Sequence, residues 1–268
     1  MAEDPEFRPN LFRGTADDYD RFRLGYAQSL LDDLLRRAGV TGQGRLLDLA
    51  CGTGQVAFAL AGAFREVWAV DQEPDMIRLV REKAGSLGAG RVHAVVADAE
   101  AFAPTATFEL ITIGNAFHRL HRDAVARSIY RWLDGGGHLA LLWNDSPWHG
   151  DESWQGAYRK VLDRWQASAG AGRVPANWEE PRRHRPDRLV LAEAGFEFLG
   201  ELRFLSAHLW SIDELIGFAY STSFLPRQVL GASGPDFEAE VRSALDRFRG
   251  GAGLRQVMDD AYELYLRP

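Results

Sequence analysis

Cysteine is almost absent: Cys51 is the only one in 268 residues, so no internal disulfide can form and stability must come from packing. Lysine is nearly as scarce, Lys83 and Lys160 being the only two among 31 basic residues, and acidic residues outnumber these at 38. The resulting net charge of −7 argues against non-specific binding to nucleic acid or to an anionic membrane surface. No apolar run approaches the ~18 residues of a membrane span. The opening Met1-Ala2-Glu3-Asp4 lacks the pattern of a secretion signal. Internal repeats and low-complexity tracts are missing too. The expectation is a cytoplasmic chain with neither nucleic acid nor membrane as partner. What the sequence does have is core, with 46% hydrophobic residues, ample for one large domain.

The stretch Leu46–Gln55 organises the rest. Arg45–Leu49 is a short apolar run that suits a buried parallel strand. Gly52-Thr53-Gly54 breaks it, and Val56–Phe64 resumes at a helical period. Strand, glycine turn and helix N-terminus together bring backbone N–H groups close to a ligand with no Cβ in the way.

Upstream, Glu6–Gly14 is polar and Thr15–Arg37 carries one helical pattern, ended by Ala38-Gly39. Downstream, the patterning predicts strands at Glu66–Val70, Val92–Ala97, Phe108–Ile113 and His138–Trp143. Helices are predicted from Pro74 and over Asp123–Leu133, with a sharp turn at Asp134-Gly135-Gly136-Gly137. Strands alternating with helices call for a parallel α/β sheet. Ser146–Arg188, rich in Trp, acids and Pro, interrupts this rhythm. Then come a helix at Leu189–Ala194, a strand at Glu197–Leu205, helices at Ile212–Tyr220 and Phe237–Phe248, and a final strand at Tyr262–Leu266.

Two ligands compete for the glycine turn. Gly52-x-Gly54-x-x-Ala57 satisfies the dinucleotide fingerprint, with Asp71 about 20 residues on to hold a ribose. Against it stand carboxylates: beside a pyrophosphate they repel, whereas beside a sulfonium and an ammonium they balance charge. Asp48-Leu49-Ala50-Cys51-Gly52-Thr53-Gly54, Asp71 after the second strand, and Val95-Val96-Ala97-Asp98-Ala99 after the third together resemble the motifs of class I S-adenosylmethionine (SAM)-dependent methyltransferases.

That resemblance implies a Rossmann-like three-layer α/β sandwich with a mostly parallel seven-stranded sheet and a helical cap. It implies one domain over 1–268: an N-terminal helical lid (1–40), a SAM-binding core (41–145), a cap insertion (146–188), and C-terminal strands and cap helices (189–268). It also implies SAM as cofactor and S-adenosylhomocysteine (SAH) as product. Asp71 would accept from the ribose hydroxyls, and Asp98 and Ala99 would hold the adenine edge, with Gln72 and Glu100 nearby. Met76, Phe102 and Phe117 are candidates to enclose the purine, and Asp48, Gly52, Thr53, Gly54, Gln55, Asn115 and Ala116 complete the cofactor set. Tyr19-x-x-x-Arg23-x-x-Tyr26 and Ala116-Phe117-His118 further resemble a small-molecule group that includes trans-aconitate methyltransferases, in which the tyrosine and arginine close over the cofactor. Here Leu24-Gly25 departs from that group's Pro-x, and Arg119 stands where a tryptophan is usual.

Methyl transfer from a sulfonium needs alignment and exclusion of water, plus a base where a proton must leave. His118 is the candidate base. His121, Trp143, Asn144, Trp148, Tyr220 and Phe224 are candidate acceptor contacts, and no metal is expected. The expected acceptor is a small molecule methylated at O or N. Acids and tryptophans in the insertion (Trp148, Trp154, Trp165 and Trp178 among them) favour an amine or aminosugar. A small carboxylic acid, held by Arg182, Arg183 or Arg227, is the alternative. An NAD-dependent oxidoreductase and a SAM-binding protein without catalysis are the readings from other classes. At Cys51 small-residue packing is favoured over a nucleophile.

Overall fold

The structure, a computed structural model, describes residues 7, 10–175, 178–250 and 253–268. The Met1-Ala2-Glu3-Asp4 start and parts of the polar Glu6–Gly14 stretch lie outside these. Strands β1 (Arg45–Leu49), β2 (Glu66–Asp71), β3 (Val92–Val96), β4 (Phe108–Gly114), β5 (Leu133–Trp143), β6 (Glu197–Trp210) and β7 (Leu254–Leu266) form one sheet. Its order is β3-β2-β1-β4-β5-β7-β6. The first five strands run parallel, and β7 lies antiparallel between β5 and β6.

Both sheet faces are covered, which is why the parallel strands read as continuous apolar runs. Successive residues of β1 serve opposite faces. Leu46 joins the core beneath α2 (Gln28–Arg37), α3 (Gln55–Leu60) and α4 (Pro74–Ser86). Leu47 and Leu49 join the core beneath α5 (Arg122–Trp132) and α8 (Asp187–Glu193). The three-layer α/β sandwich expected from the motifs is the fold adopted.

Several details differ from the sequence pattern. The single helix expected over Thr15–Arg37 is two, α1 (Ala16–Phe22) and α2, because the chain is extended at Arg23 and leaves the helix until Gln28. At the restart Ala27 donates its N–H to Asp260 Oδ2 at 2.8 Å, a partner no local pattern announces. The Asp134–Gly137 turn belongs to β5: Leu133 already pairs with Phe108, and a bulge precedes the Leu110–His138 pair. Strands β6 and β7 are longer than expected. Only Ala261–Leu266 of β7 pairs with β5, so the remainder of the β6–β7 hairpin projects as a two-stranded ribbon past the carboxyl ends of the parallel strands.

A third core lies above those ends. In it α6 (Ser153–Ser168), α9 (Ile212–Tyr220) and α11 (Gly234–Leu245) pack with Trp210, Leu225 and Leu254. Trp154 and Trp165 of the insertion are part of this cap, their indole N–H groups donating to Arg255 O and Glu240 Oε2. The insertion is thus divided: α6 serves the cap, whereas α7 (Glu180–His184) leads into α8, whose Val190 and Leu191 return to the sheet. Of its arginines, Arg182 pairs with Asp187, Arg183 with Glu179, and Arg185 with Asp123 and Glu193. No helix among the described residues is long and apolar enough to cross a membrane.

Candidate functional site

The chain leaves β1 for β2 and β3 on one side, and later places β4 and β5 on the other. Where strand order reverses in this way, the connecting loops part and leave a crevice at the carboxyl ends of the central strands. Here that crevice lies above β1 and β4.

Its floor is the glycine loop, held by two carboxylates. Asp48 accepts from Ala57 N–H at 3.0 Å and from the Thr112 hydroxyl at 2.9 Å, tying β1 to the first turn of α3 and to β4. It is 1% exposed, and burial raises its carboxyl to about 7. Asp71 accepts from Gly52 N–H at 2.8 Å and from Glu73 N–H at 2.9 Å, so it fastens the loop to the end of β2. Burial raises its carboxyl as well, opposed by those backbone N–H groups. Gly52 has φ +55°, and a Cβ there would sit 3.3 Å from the Tyr19 ring. Both the left-handed backbone and the close approach call for glycine.

The roof is α1 and the extended segment after it. Arg23 lies over the Phe218 ring of α9 at 4.2 Å and donates to Ser221 Oγ at 2.8 Å, while its carbonyl accepts from Gln55 Nε2. Beside it, Asn115 Nδ2 donates to Tyr26 Oη at 3.3 Å and to Asn144 Oδ1 at 2.8 Å, a polar row spanning the ends of β4 and β5. Floor and roof enclose a cavity of about 420 Å³, counting the space open to solvent. Of the expected residues, Tyr19, Arg23, Asp48, Gln55, Asn115 and Asn144 line it. Leu24, Tyr26, Ala50 and Cys51 line it too. Tyr26 was legible in the Tyr19–Tyr26 spacing; Leu24 carried no signal. Burial and the neighbouring Asp71 and Asp48 hold the Cys51 thiol well above its usual range, which favours the protonated form over a nucleophilic thiolate.

The remaining expected cofactor residues do not line this cavity: Gly52, Thr53 and Gly54 sit in the loop after β1, and the others lie at or after the ends of β2, β3 and β4. Thr53 is buried, Met76 is buried at the start of α4, and Gln72 and Asp98 are exposed. Ala99 and Phe117 are buried in the second core, with Ala116 packed against it. Glu100 Oε1 accepts from His121 N–H. Phe102 is a core residue, edge-on to Trp132 and 6.3 Å from Trp68, rather than a wall for a ligand.

The expected acceptor residues are scattered. Trp143, half-buried, ends β5, and Trp148 packs edge-on against Phe218 and Phe224. His121 is exposed at the N-cap of α5. Tyr220 is turned into the cap, its hydroxyl donating to Glu238 Oε1 and its ring under Arg227, because the last turn of α9 faces α11. His118 lies 5.1 Å from the Trp178 ring and 6.4 Å from Phe7, and is not among the residues lining the cavity. Burial, with Arg119, Arg182 and Arg122 nearby, pushes its imidazole well below the usual range. Arg119 is a feature the motif did not foretell. Its guanidinium sits over Phe7 and Phe12, the buried Nη1 has no hydrogen-bond partner among the described residues, and burial beside Arg23 lowers it to about 10. Among the described residues no group of three or more His, Cys, Asp or Glu is placed to hold a metal ion.

Comparison with known proteins places this geometry in context. A family profile described as "Methyltransferase domain" matches residues 46–137. A ubiquinone/menaquinone biosynthesis C-methyltransferase of Cupriavidus necator is 30% identical over 165 residues, 59% of this chain and 67% of that protein. An uncharacterized methyltransferase-like protein of Schizosaccharomyces pombe is 25% identical over 230 residues, 84% of this chain and 81% of its own length. The solved structure of coclaurine N-methyltransferase bound to N-methylheliamine and SAH superposes with a TM-score of 0.54 at 14% identity, covering 96% of this chain and 80% of that one.

Proposed function

The chain belongs to the class I SAM-dependent methyltransferases, and from that premise we propose that it methylates a small molecule at oxygen or nitrogen, an amine-bearing or aminosugar natural product being the favoured acceptor. The observation that carries this reading is the crevice at the strand-order reversal, with its carboxylate-held glycine floor and its Tyr19–Arg23 roof.

The residues present fit the cofactor. Gly52 lets the Tyr19 ring close onto the loop where a Cβ would obstruct it, and Thr53 Oγ1 is buried without a hydrogen-bond partner among the described residues. Asp71 would hold the ribose, Asp98 and Ala99 the adenine edge, and Tyr19 and Arg23 the methionyl end. SAM, when bound, supplies a methyl group on a positive sulfur. The chain's part is positioning and exclusion of water: α1 covers the loop, and the Tyr26–Asn115–Asn144 row orients an acceptor over the crevice. His118 as proton acceptor requires its ring to leave Trp178 for the cavity.

A second reading, esterification of a small acid, is favoured by one observation, the unpartnered Arg119 Nη1 beside Arg23. Methylation at carbon is the reaction in the name of the Cupriavidus relative. Calorimetry on the full chain should give micromolar SAH binding and none for NADH; the reverse result sinks the assignment. Labelled SAM with amines, sugars and acids, followed by product NMR, then separates nitrogen, oxygen, carboxylate and carbon acceptors.

A further inference from the structure

A second cavity, of about 570 Å³ counting open space, lies between the Leu24–Ala27 segment and the projecting β6–β7 ribbon. Leu24 and Tyr26 line both cavities, so one wall separates this space from the crevice above the glycine loop. Its other walls are Met258 and Ala207, and its polar groups are Ser206, His208 and Asp260.

Asp260 is 2% exposed. Its Oδ2 accepts from Ala27 N–H, but its Oδ1 is buried with no hydrogen-bond partner among the described residues. His208 Nε2 is likewise buried and without a hydrogen bond, 3.9 Å from Glu214 Oε1. An unsatisfied buried carboxylate oxygen on a residue that lines a cavity is costly unless a ligand satisfies it. The surrounding charge is negative. Asp145 and Asp259 lie near enough to Asp260 to raise its carboxyl further, after burial. The nearby Arg203 is taken by Asp259 and Glu201. Among the described residues this buried carboxylate has no ion-pair partner.

We propose that this second cavity binds the ammonium group of the methyl acceptor, Asp260 serving as its counter-charge. That the ligand is the acceptor rests on the methyltransferase reading; that the cavity takes an ammonium does not. Primary and secondary ammonium groups have an N–H donor for Asp260 Oδ1, and a quaternary one has none. The Tyr26 ring offers a face for the same charge. An ammonium held there keeps its proton and is no nucleophile. The methyl group therefore goes to a different heteroatom of the same molecule, on the crevice side of Tyr26.

The test is ligand-observed NMR with calorimetry on the full chain, using phenethylammonium and its neutral counterpart 2-phenylethanol as probes. The expected result is saturable binding of phenethylammonium at least about tenfold tighter than 2-phenylethanol. Asp260→Asn, which can still accept from Ala27 N–H, should abolish that preference. Ser206→Trp, which fills the cavity and keeps the carboxylate, should block both probes. SAH affinity, measured alongside, should stay within about twofold in both variants, since neither residue touches the glycine loop. Equal binding of the two probes, binding of neither, a preference that survives Asp260→Asn, or phenethylammonium binding that survives Ser206→Trp overturns the proposal. If Asp260→Asn fails to fold, Ser206→Trp decides alone. If the wild-type chain binds phenethylammonium but not SAH, the cofactor assignment fails and the cation site stands.

Discussion

Asp48 gives a quantitative test of how the glycine loop is held. Burial raises its carboxyl from an ordinary 3.8 to about 7, against the lowering effect of hydrogen bonds from Thr112 and Ala57. A pKa raised in the folded state means that the folded chain holds the proton more tightly than the unfolded one. The linked stability is fully present below about pH 4 and is lost as the pH rises through about 7. The roughly three pH units between the two values, at about 1.4 kcal/mol each, correspond to about 4 kcal/mol. Asp48→Asn retains an oxygen for Ala57 N–H and can donate its amide to the Thr112 hydroxyl, but it cannot ionise. Its stability relative to wild type should therefore climb by about 4 kcal/mol between about pH 4 and pH 8. Urea unfolding of the cofactor-free chain at several pH values measures this, and taking the difference between the two proteins cancels the other titrating groups. A difference that stays flat across the range would refute the picture of a buried, proton-holding Asp48.

Two other substitutions probe the site. Asp71→Ala should weaken SAH binding by about 1–3 kcal/mol through lost charge-assisted hydrogen bonds, and should also destabilise the apo chain by freeing Gly52 and Glu73 N–H. Unchanged calorimetric affinity would remove Asp71 from the ribose. His118→Ala should lower turnover less than about tenfold, because the ring packs with Trp178 and Phe7 outside the cavity; a loss of about 10²–10⁴ with SAH affinity intact would instead establish it as the base.

The strand–glycine turn–helix unit at Leu46–Gln55 and the alternation of strands and helices were legible because they depend on neighbours a few residues apart. Apolar runs, glycines and strand-end acids carry that information locally, and with it the fold class. The acids were visible as ligands but not as fasteners. That Asp48 and Asp71 already bind Ala57 and Gly52 N–H follows from how the turn closes. Tyr220 read as an acceptor contact and lies in the cap, with Trp154 and Trp165 of the insertion. A side chain's partner across helices leaves no periodic trace.

The sequence by itself determined the parallel strands and the glycine loop, and it pointed to the methyltransferase fold. Tertiary structure alone decided where α1 stops and where the second cavity opens. Ala27 N–H finds Asp260 across 233 residues of chain, and it does so only once the β6–β7 ribbon has risen past the sheet edge. Local periodicity favoured a continuous helix there, and a buried carboxylate far along the chain outweighed it.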